Sequence, residues 1–245
     1  VGTKMSCIGY SHISAEGEIV ETGIWSWPNK QSAIQLLDIQ NDVRVKVDEV
    51  TKELEGQLSQ VVAHSTVELT ISDPTEKDTS GKPIRIVRRM ETNLGDLCAD
   101  AFRDQGGADI AFVNGGGVRV NIEKGDITYG DIINVNPFGN MLCVVEVSGQ
   151  QILDALEWAS RAVPGETGGF LQVSGLTYEI HSEIETPCIT DENNMFAGIK
   201  GERRVKNVMV GEEPLNPEKK YTLASHNYLL QERGDGFTMF EGAPL

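Results

Sequence analysis

A chain of 245 residues, 39% of them hydrophobic, has enough apolar side chains to fill the core of one large domain or two small ones. Its formal net charge of -16 argues against a nucleic-acid polymer or an anionic membrane as partner. A few clustered arginines can still hold one small phosphate, and with no run of about 18 apolar residues no membrane span is expected.

In chain order, Val1 is not a start methionine and no signal peptide is visible, so the sequence reads as a fragment or a processed chain. Residues 4–14 and 18–25 are predicted as two strands around an Ala15-Glu16-Gly17 turn, with His12 as a structural histidine. Val43, Val47, Val50, Leu54 and Leu58 recur at helical spacing, which predicts an amphipathic surface helix over 41–58. A strand over 60–71 and an exposed loop over 72–82 follow. Cys7, Cys98, Cys143 and Cys188 are widely spaced without a Cys-x-x-Cys pair. They read as buried apolar residues rather than zinc ligands or a disulfide framework, and carry no information on compartment.

The informative stretch runs from Arg85 to Phe138. Arg85, Arg88 and Arg89 lie on one side of a predicted helix and short strand, Arg119 on the other. Arginine's planar fork of donors suits phosphate oxygens. The helix opens at 91–96, with Thr92 or Asn93 as N-cap and Asp96 in its first turn, and continues through Phe102. The strand, 110–113, ends in Asn114-Gly115-Gly116-Gly117-Val118-Arg119, and loops at the carboxyl ends of strands are where α/β sheets place ligands. This is neither a Rossmann fingerprint nor a Walker loop, since no helix opens after the glycines and no Gly-Lys-Ser/Thr follows. From the residues alone the glycine run is either a turn without a ligand or a nest of N–H groups for phosphate.

Further on, 130–135 is predicted as a short helix and 136–140 as a turn that presents Phe138. From the residues alone that ring reads as core packing. A β-rich run over 141–147 precedes a helix over 148–162, capped by Ser148 and with Trp158 in its apolar stripe. Residues 165–169 form a flexible loop before strands at 170–173 and 176–181, where His181 is structural. Residues 182–204 lack periodicity and read as a long excursion. Strands at 205–210 and 221–225 follow, and Gly234-Asp235-Gly236 is a turn signal.

ETNLGDLCADAF, FVNGGGVR, ITYGDIINVNPFGN, GGFLQVSGL and YTLASHNYLLQERGDGF, in that order, resemble the carboxy-terminal domain of the 5'-nucleotidase family. That family also includes UDP-sugar hydrolases and 2',3'-cyclic nucleotide 2'-phosphodiesterase/3'-nucleotidases. The resemblance covers roughly residues 30 to 242. It implies an α+β fold of mixed sheets packed with helices, and a division into 1–29 (last hairpin of an amino-terminal metallophosphatase domain), 30–58 (linker helix) and 59–245 (substrate-binding domain). It also implies that Arg88 and Arg119 grip phosphate, with Arg85 or Arg89 as an auxiliary. Asn114 and Gly117 would border phosphate or ribose, Phe138 and Tyr228 would clamp the base, Asn140 would bond to it, and Asp235 would take the sugar hydroxyls. The spacer between Tyr228 and Asp235 is one residue longer than in the best-known members.

The activity implied is metal-dependent removal of phosphate from nucleotides, outside the cytoplasm. This chain would supply no cofactor site, since two divalent ions and the catalytic histidine belong to the amino-terminal domain. Domain rotation would bring bound nucleotide to those metals. The residues leave open a cyclic nucleotide or UDP-sugar as substrate, a non-catalytic nucleotide-binding module, and a surface interaction domain that keeps only the fold.

Overall fold

The structure, a computed structural model, describes residues 7–26, 42–77, 81 and 83–244. The chain divides after Gly56 into two compact units. In the first, β1 (Cys7–Ile13) and β2 (Ile19–Ser26) pair antiparallel, matching the predicted hairpin except at residues 4–6, which lie outside the described residues. α1 (Asp42–Leu58) is the helix that the valine and leucine spacing predicts, and Val47, Val50 and Leu54 on it are exposed. Residues 30–41 of the expected linker lie outside the described residues.

The second unit opens with β3 (Val61–Ser65), shorter than the strand predicted over 60–71. Ser65 ends it: its hydroxyl donates to Val67 O at 2.7 Å and accepts from Val67 N–H at 3.3 Å, a local bond that competes with the ladder. β4 (Asp73–Lys77) and β5 (Pro83–Ile84) pair as a small ribbon where a loop was expected. The polar composition there marks exposure, but backbone pairing needs no apolar face. After a 3-10 turn at Ile86–Arg88 comes α2 (Asn93–Gly106). Thr92 caps it, Oγ1 accepting Gly95 N–H at 3.1 Å, a bond worth about 1 kcal/mol. The helix passes the predicted end at Phe102 and stops where Gly107 turns left-handed, φ 56°.

β6 (Ile110–Asn114), β7 (Gly125–Thr128), α3 (Tyr129–Val135), β8 (Leu142–Ser148) and α4 (Gly149–Ala159) follow. α3 and α4 each open with a capping box, Thr128 with Asp131 and Ser148 with Gln151. Then come β9 (Leu171–Ser174), β10 (Leu176–Ile180), β11 (Cys188–Thr190), β12 (Phe196–Ile199), β13 (Val205–Val210), β14 (Glu213–Pro214) and β15 (Lys220–His226), and the single turn α5 (Asn227–Leu230). The segment 182–204 is therefore more than an excursion. β11 and β12 pair antiparallel, and Phe196 packs its ring 5.8 Å from Trp158. That hairpin escapes a periodicity reading because its strands are only 3 and 4 residues long, too short to show an alternation.

The central sheet has the order β8-β15-β6-β9, with β15 and β6 parallel and the outer pairs antiparallel. Ile110 and Phe112 of β6 face a core shared with Ile152, Leu156 and Trp158 of α4, whereas Val113 joins Leu94 and Ala99 of α2. Burial on both faces explains why Ile-Ala-Phe-Val is continuously apolar instead of alternating. Each large side chain so buried contributes about 1.5–3 kcal/mol. Mixed sheets between helices make this an α+β fold, as the resemblance implied.

Candidate functional site

Strand direction gathers four loops at one edge of the sheet. β6 and β15 are parallel, so both end there, at Asn114 and His226. β8 and β9 run the other way, and register sets Leu142 opposite His226 and Leu171 opposite Asn114. The loops after β6 and β15 and the loops before β8 and β9 therefore converge. They meet, together with the 3-10 turn that ends in Arg88, around a cavity of about 410 Å³.

Every predicted site residue except Arg119 lines this cavity: Arg88, Asn114, Gly117, Phe138, Asn140, Tyr228 and Asp235. Arg119 sits beside it. Its guanidinium carbon is 5.6 Å from the Phe138 ring centroid, and Nη1 donates to Gly116 O at 3.0 Å. Phe138 is 55% exposed, which corrects the core-packing reading of its Pro-Phe-Gly setting.

Asp235 is the polar centre of the site. It has φ 52°, a left-handed conformation that a non-glycine residue keeps only when its surroundings hold it. Three bonds do so. Trp158 Nε1–H donates to Asp235 O at 2.9 Å, Asp235 N–H donates to Tyr228 Oη at 3.1 Å, and Tyr228 Oη–H donates to Asp235 Oδ1 at 3.3 Å. The other carboxylate oxygen accepts Asn114 Nδ2–H at 2.7 Å. Burial, and then the Asp235 charge, push the Tyr228 phenol above its usual pKa, so it stays a donor. Trp158 is a core residue, as its stripe predicts, but its indole N–H also serves the site.

The three clustered arginines have different partners. Arg85 pairs with Glu166 at 3.1 Å and Arg89 with Glu76 at 2.5 Å. Among the described residues Arg88 and Arg119 make no salt bridge. Burial, with the like charges of Arg85 and Arg119, makes the cation of Arg88 harder to hold. A pair of guanidiniums without bound carboxylates, one of them half-buried, is an electrostatic vacancy for an anion.

The glycine run is not a nest. Gly115 N–H donates to Phe170 O at 2.7 Å, Gly116 N–H to Gly168 O at 2.8 Å and Gly117 N–H to Asn114 O at 2.8 Å. All three donors are thus spent on carbonyls. Gly115 is needed for close approach instead, since a Cβ there would lie 2.0 Å from Val87 O, in the turn that carries Arg88. Among the described residues no group of three or more His, Cys, Asp or Glu side chains could hold a metal ion.

Gly168, in the predicted flexible loop over 165–169, lines the cavity against Asp235. Sequence reasoning missed one contributor. His226, 1% exposed, bonds Asn114 Oδ1 through Nε2 at 3.0 Å, and its Nδ1 accepts Leu229 N–H at 3.4 Å as the N-cap of α5. Burial lowers its pKa below the usual histidine range. No turn was predicted at 225–228, and no local pattern there marked the histidine.

The sequence profile described as "5'-nucleotidase, C-terminal domain" matches residues 61–242. The chain is 36% identical over 161 residues to the trifunctional nucleotide phosphoesterase protein YfkN of Bacillus subtilis, covering 64% of this chain and 10% of that protein. It is 35% identical over 161 residues to a 5'-nucleotidase of Vibrio parahaemolyticus, covering 65% of this chain and 24% of that one. The crystal structure of a 5'-nucleotidase precursor from Thermus thermophilus superimposes with a TM-score of 0.63 and 29% identity, over 97% of this chain and 42% of that chain. The chain thus spans about a quarter or less of the curated relatives it matches, and it belongs to the 5'-nucleotidase carboxy-terminal domain family.

Proposed function

We propose that this domain binds the nucleotide substrate of a metal-dependent phosphohydrolase of the 5'-nucleotidase type. One observation carries the reading: a single cavity presents a guanidinium without a carboxylate partner, an exposed aromatic ring and a carboxylate braced by an amide. Its volume of about 410 Å³ falls in the range of small-molecule sites. Arg88 and Arg119 take the phosphate, with Arg85 and Arg89 outside the first contact because Glu166 and Glu76 neutralise them. Phe138 and Tyr228 clamp the base and Asn140 bonds to it. Asp235 accepts from the ribose hydroxyls, and Asn114 and Gly117 border phosphate and sugar.

In the whole protein, residues 1–29 close an amino-terminal metallophosphatase domain, 30–58 form the linker and 59–245 the specificity domain. Two divalent ions would belong to that first domain and would supply an activated water for phosphate-ester hydrolysis. This chain's residues bind and orient: the arginines neutralise phosphate charge and the aromatics fix the base. The protein acts in the periplasm or outside the cell, and the names of its relatives favour nucleotide phosphoesters over sugar nucleotides. A surface interaction domain would bury Phe138 and Arg119 in packing, whereas both are exposed.

Phe138→Ala tests the site. Loss of one stacking partner is expected to weaken adenosine by about 1–3 kcal/mol without lowering the melting temperature, since the ring is exposed. Unchanged affinity would reject the clamp.

A further inference from the structure

His226 stands at the end of β15, adjacent to the end of β6, and makes two bonds of opposite sense. Nδ1 accepts Leu229 N–H at 3.4 Å, so in the neutral ring the proton sits on Nε2 and donates to Asn114 Oδ1 at 3.0 Å. That donation decides which way the Asn114 amide faces. With Oδ1 held by His226, the NH2 group points at Asp235 Oδ2 at 2.7 Å. A flipped amide would set two oxygens against each other. The order of polarity therefore runs Leu229 N–H, His226, Asn114, Asp235, and each member has one arrangement only.

We propose that His226 is a positioning residue for sugar recognition: through Asn114 it holds the Asp235 carboxylate in the orientation that accepts a ribose cis-diol. The inference deepens the nucleotide reading of the cavity and rests on it. Tyr228 Oη already bonds Asp235 Oδ1 and Asn114 bonds Oδ2, so the carboxylate is pinned at both oxygens, with its remaining lone pairs turned to the cavity. Two vicinal hydroxyls match that spacing, and a 2'-deoxyribose matches half of it. The groups around the ring are the Asp235 and Glu232 carboxylates, the Tyr228 ring at 5.9 Å and the edge-on Phe102 ring at 6.0 Å.

Two conservative variants separate this role from helix capping. In His226→Gln the side-chain nitrogen replaces Nε2 and still donates to Asn114. In His226→Asn the side-chain oxygen replaces Nδ1 and still caps α5, while Asn114 Oδ1 loses its donor. Adenosine and 2'-deoxyadenosine are titrated by calorimetry into wild type and both variants, with the melting temperature followed alongside. Wild type is expected to prefer adenosine, and His226→Gln to keep that preference within about threefold. His226→Asn is expected to lose about tenfold in adenosine affinity, the scale of one unsatisfied buried polar group, with 2'-deoxyadenosine changed far less. An unchanged preference in His226→Asn, or equal losses for both ligands, would overturn this inference and leave the nucleotide reading standing. No binding of either nucleoside by wild type would overturn both. A 15N spectrum of the ring reads the clamp without ligand: the Nε2–H tautomer supports it, and the Nδ1–H tautomer overturns it.

Discussion

The side-chain amide of Asn114 and the carboxylate of Asp235 meet at 2.7 Å across 121 positions of sequence. One ends a central strand and the other sits in a left-handed turn, so this bond ties the sheet to the loop after β15. Asn114→Ala is expected to leave His226 Nε2–H and Asp235 Oδ2 without their partner. The expected loss is about 1–3 kcal/mol, read as a lower urea midpoint at unchanged slope. An unchanged midpoint would show that the network is not held in solution.

Partner carboxylates divide the arginines into two classes. Arg119→Ala and Arg88→Met are expected to weaken AMP far more than adenosine, because in the proposed function both guanidiniums take the phosphate. Glu166→Gln is expected to act oppositely. It removes a carboxylate that pairs Arg85 and whose charge also reaches Arg88, so AMP should bind tighter by a few tenths to about 1 kcal/mol. Equal losses of AMP and adenosine in Arg119→Ala would reject the phosphate assignment.

Gly115 fixes where Arg88 stands. Gly115→Ala would put a methyl 2.0 Å from Val87 O and push the 3-10 turn away from β6. About 1–3 kcal/mol of stability should be lost, and AMP should weaken more than adenosine because Arg88 moves with the turn. A variant of wild-type stability and AMP affinity would show that the close approach is absent.

Asp96 makes stability depend on pH. Burial first, then the charges of Glu91 and Asp100, raise its folded pKa to about 6 from 3.8. Between those values the folded chain holds a proton that the unfolded chain has released, so this group's contribution falls as pH rises through about 4 to 6. Asp96→Asn should therefore raise the melting temperature more at pH 7.5 than at pH 4.5. A gain that is the same at both values would contradict the shift.

Much of this was legible in sequence, for physical reasons that differ by residue. Ile110 to Val113 announced a short strand, and Ser148 announced a helix start, because burial and capping act over a few neighbouring positions. Two of the five ordered motifs hold Phe138 and Asp235, which line one cavity together with Arg88. The choice of Arg88 over Arg85 and Arg89 came from the resemblance and not from the residues themselves, since its physical ground is Glu166 and Glu76 folding back from elsewhere onto the other two. The glycine run stayed open between a bare turn and a phosphate nest because two of its carbonyl partners, Phe170 and Gly168, are distant in sequence. His226 stayed silent because its meaning comes from the parallel pairing of β15 with β6, which no local pattern encodes.

The most direct test of the account is calorimetric titration of the chain with AMP, adenosine and inorganic phosphate. AMP is expected to bind more tightly than adenosine, adenosine to bind measurably without phosphate, and inorganic phosphate to compete with AMP but not with adenosine. AMP binding no tighter than adenosine, or no binding by either, would contradict it.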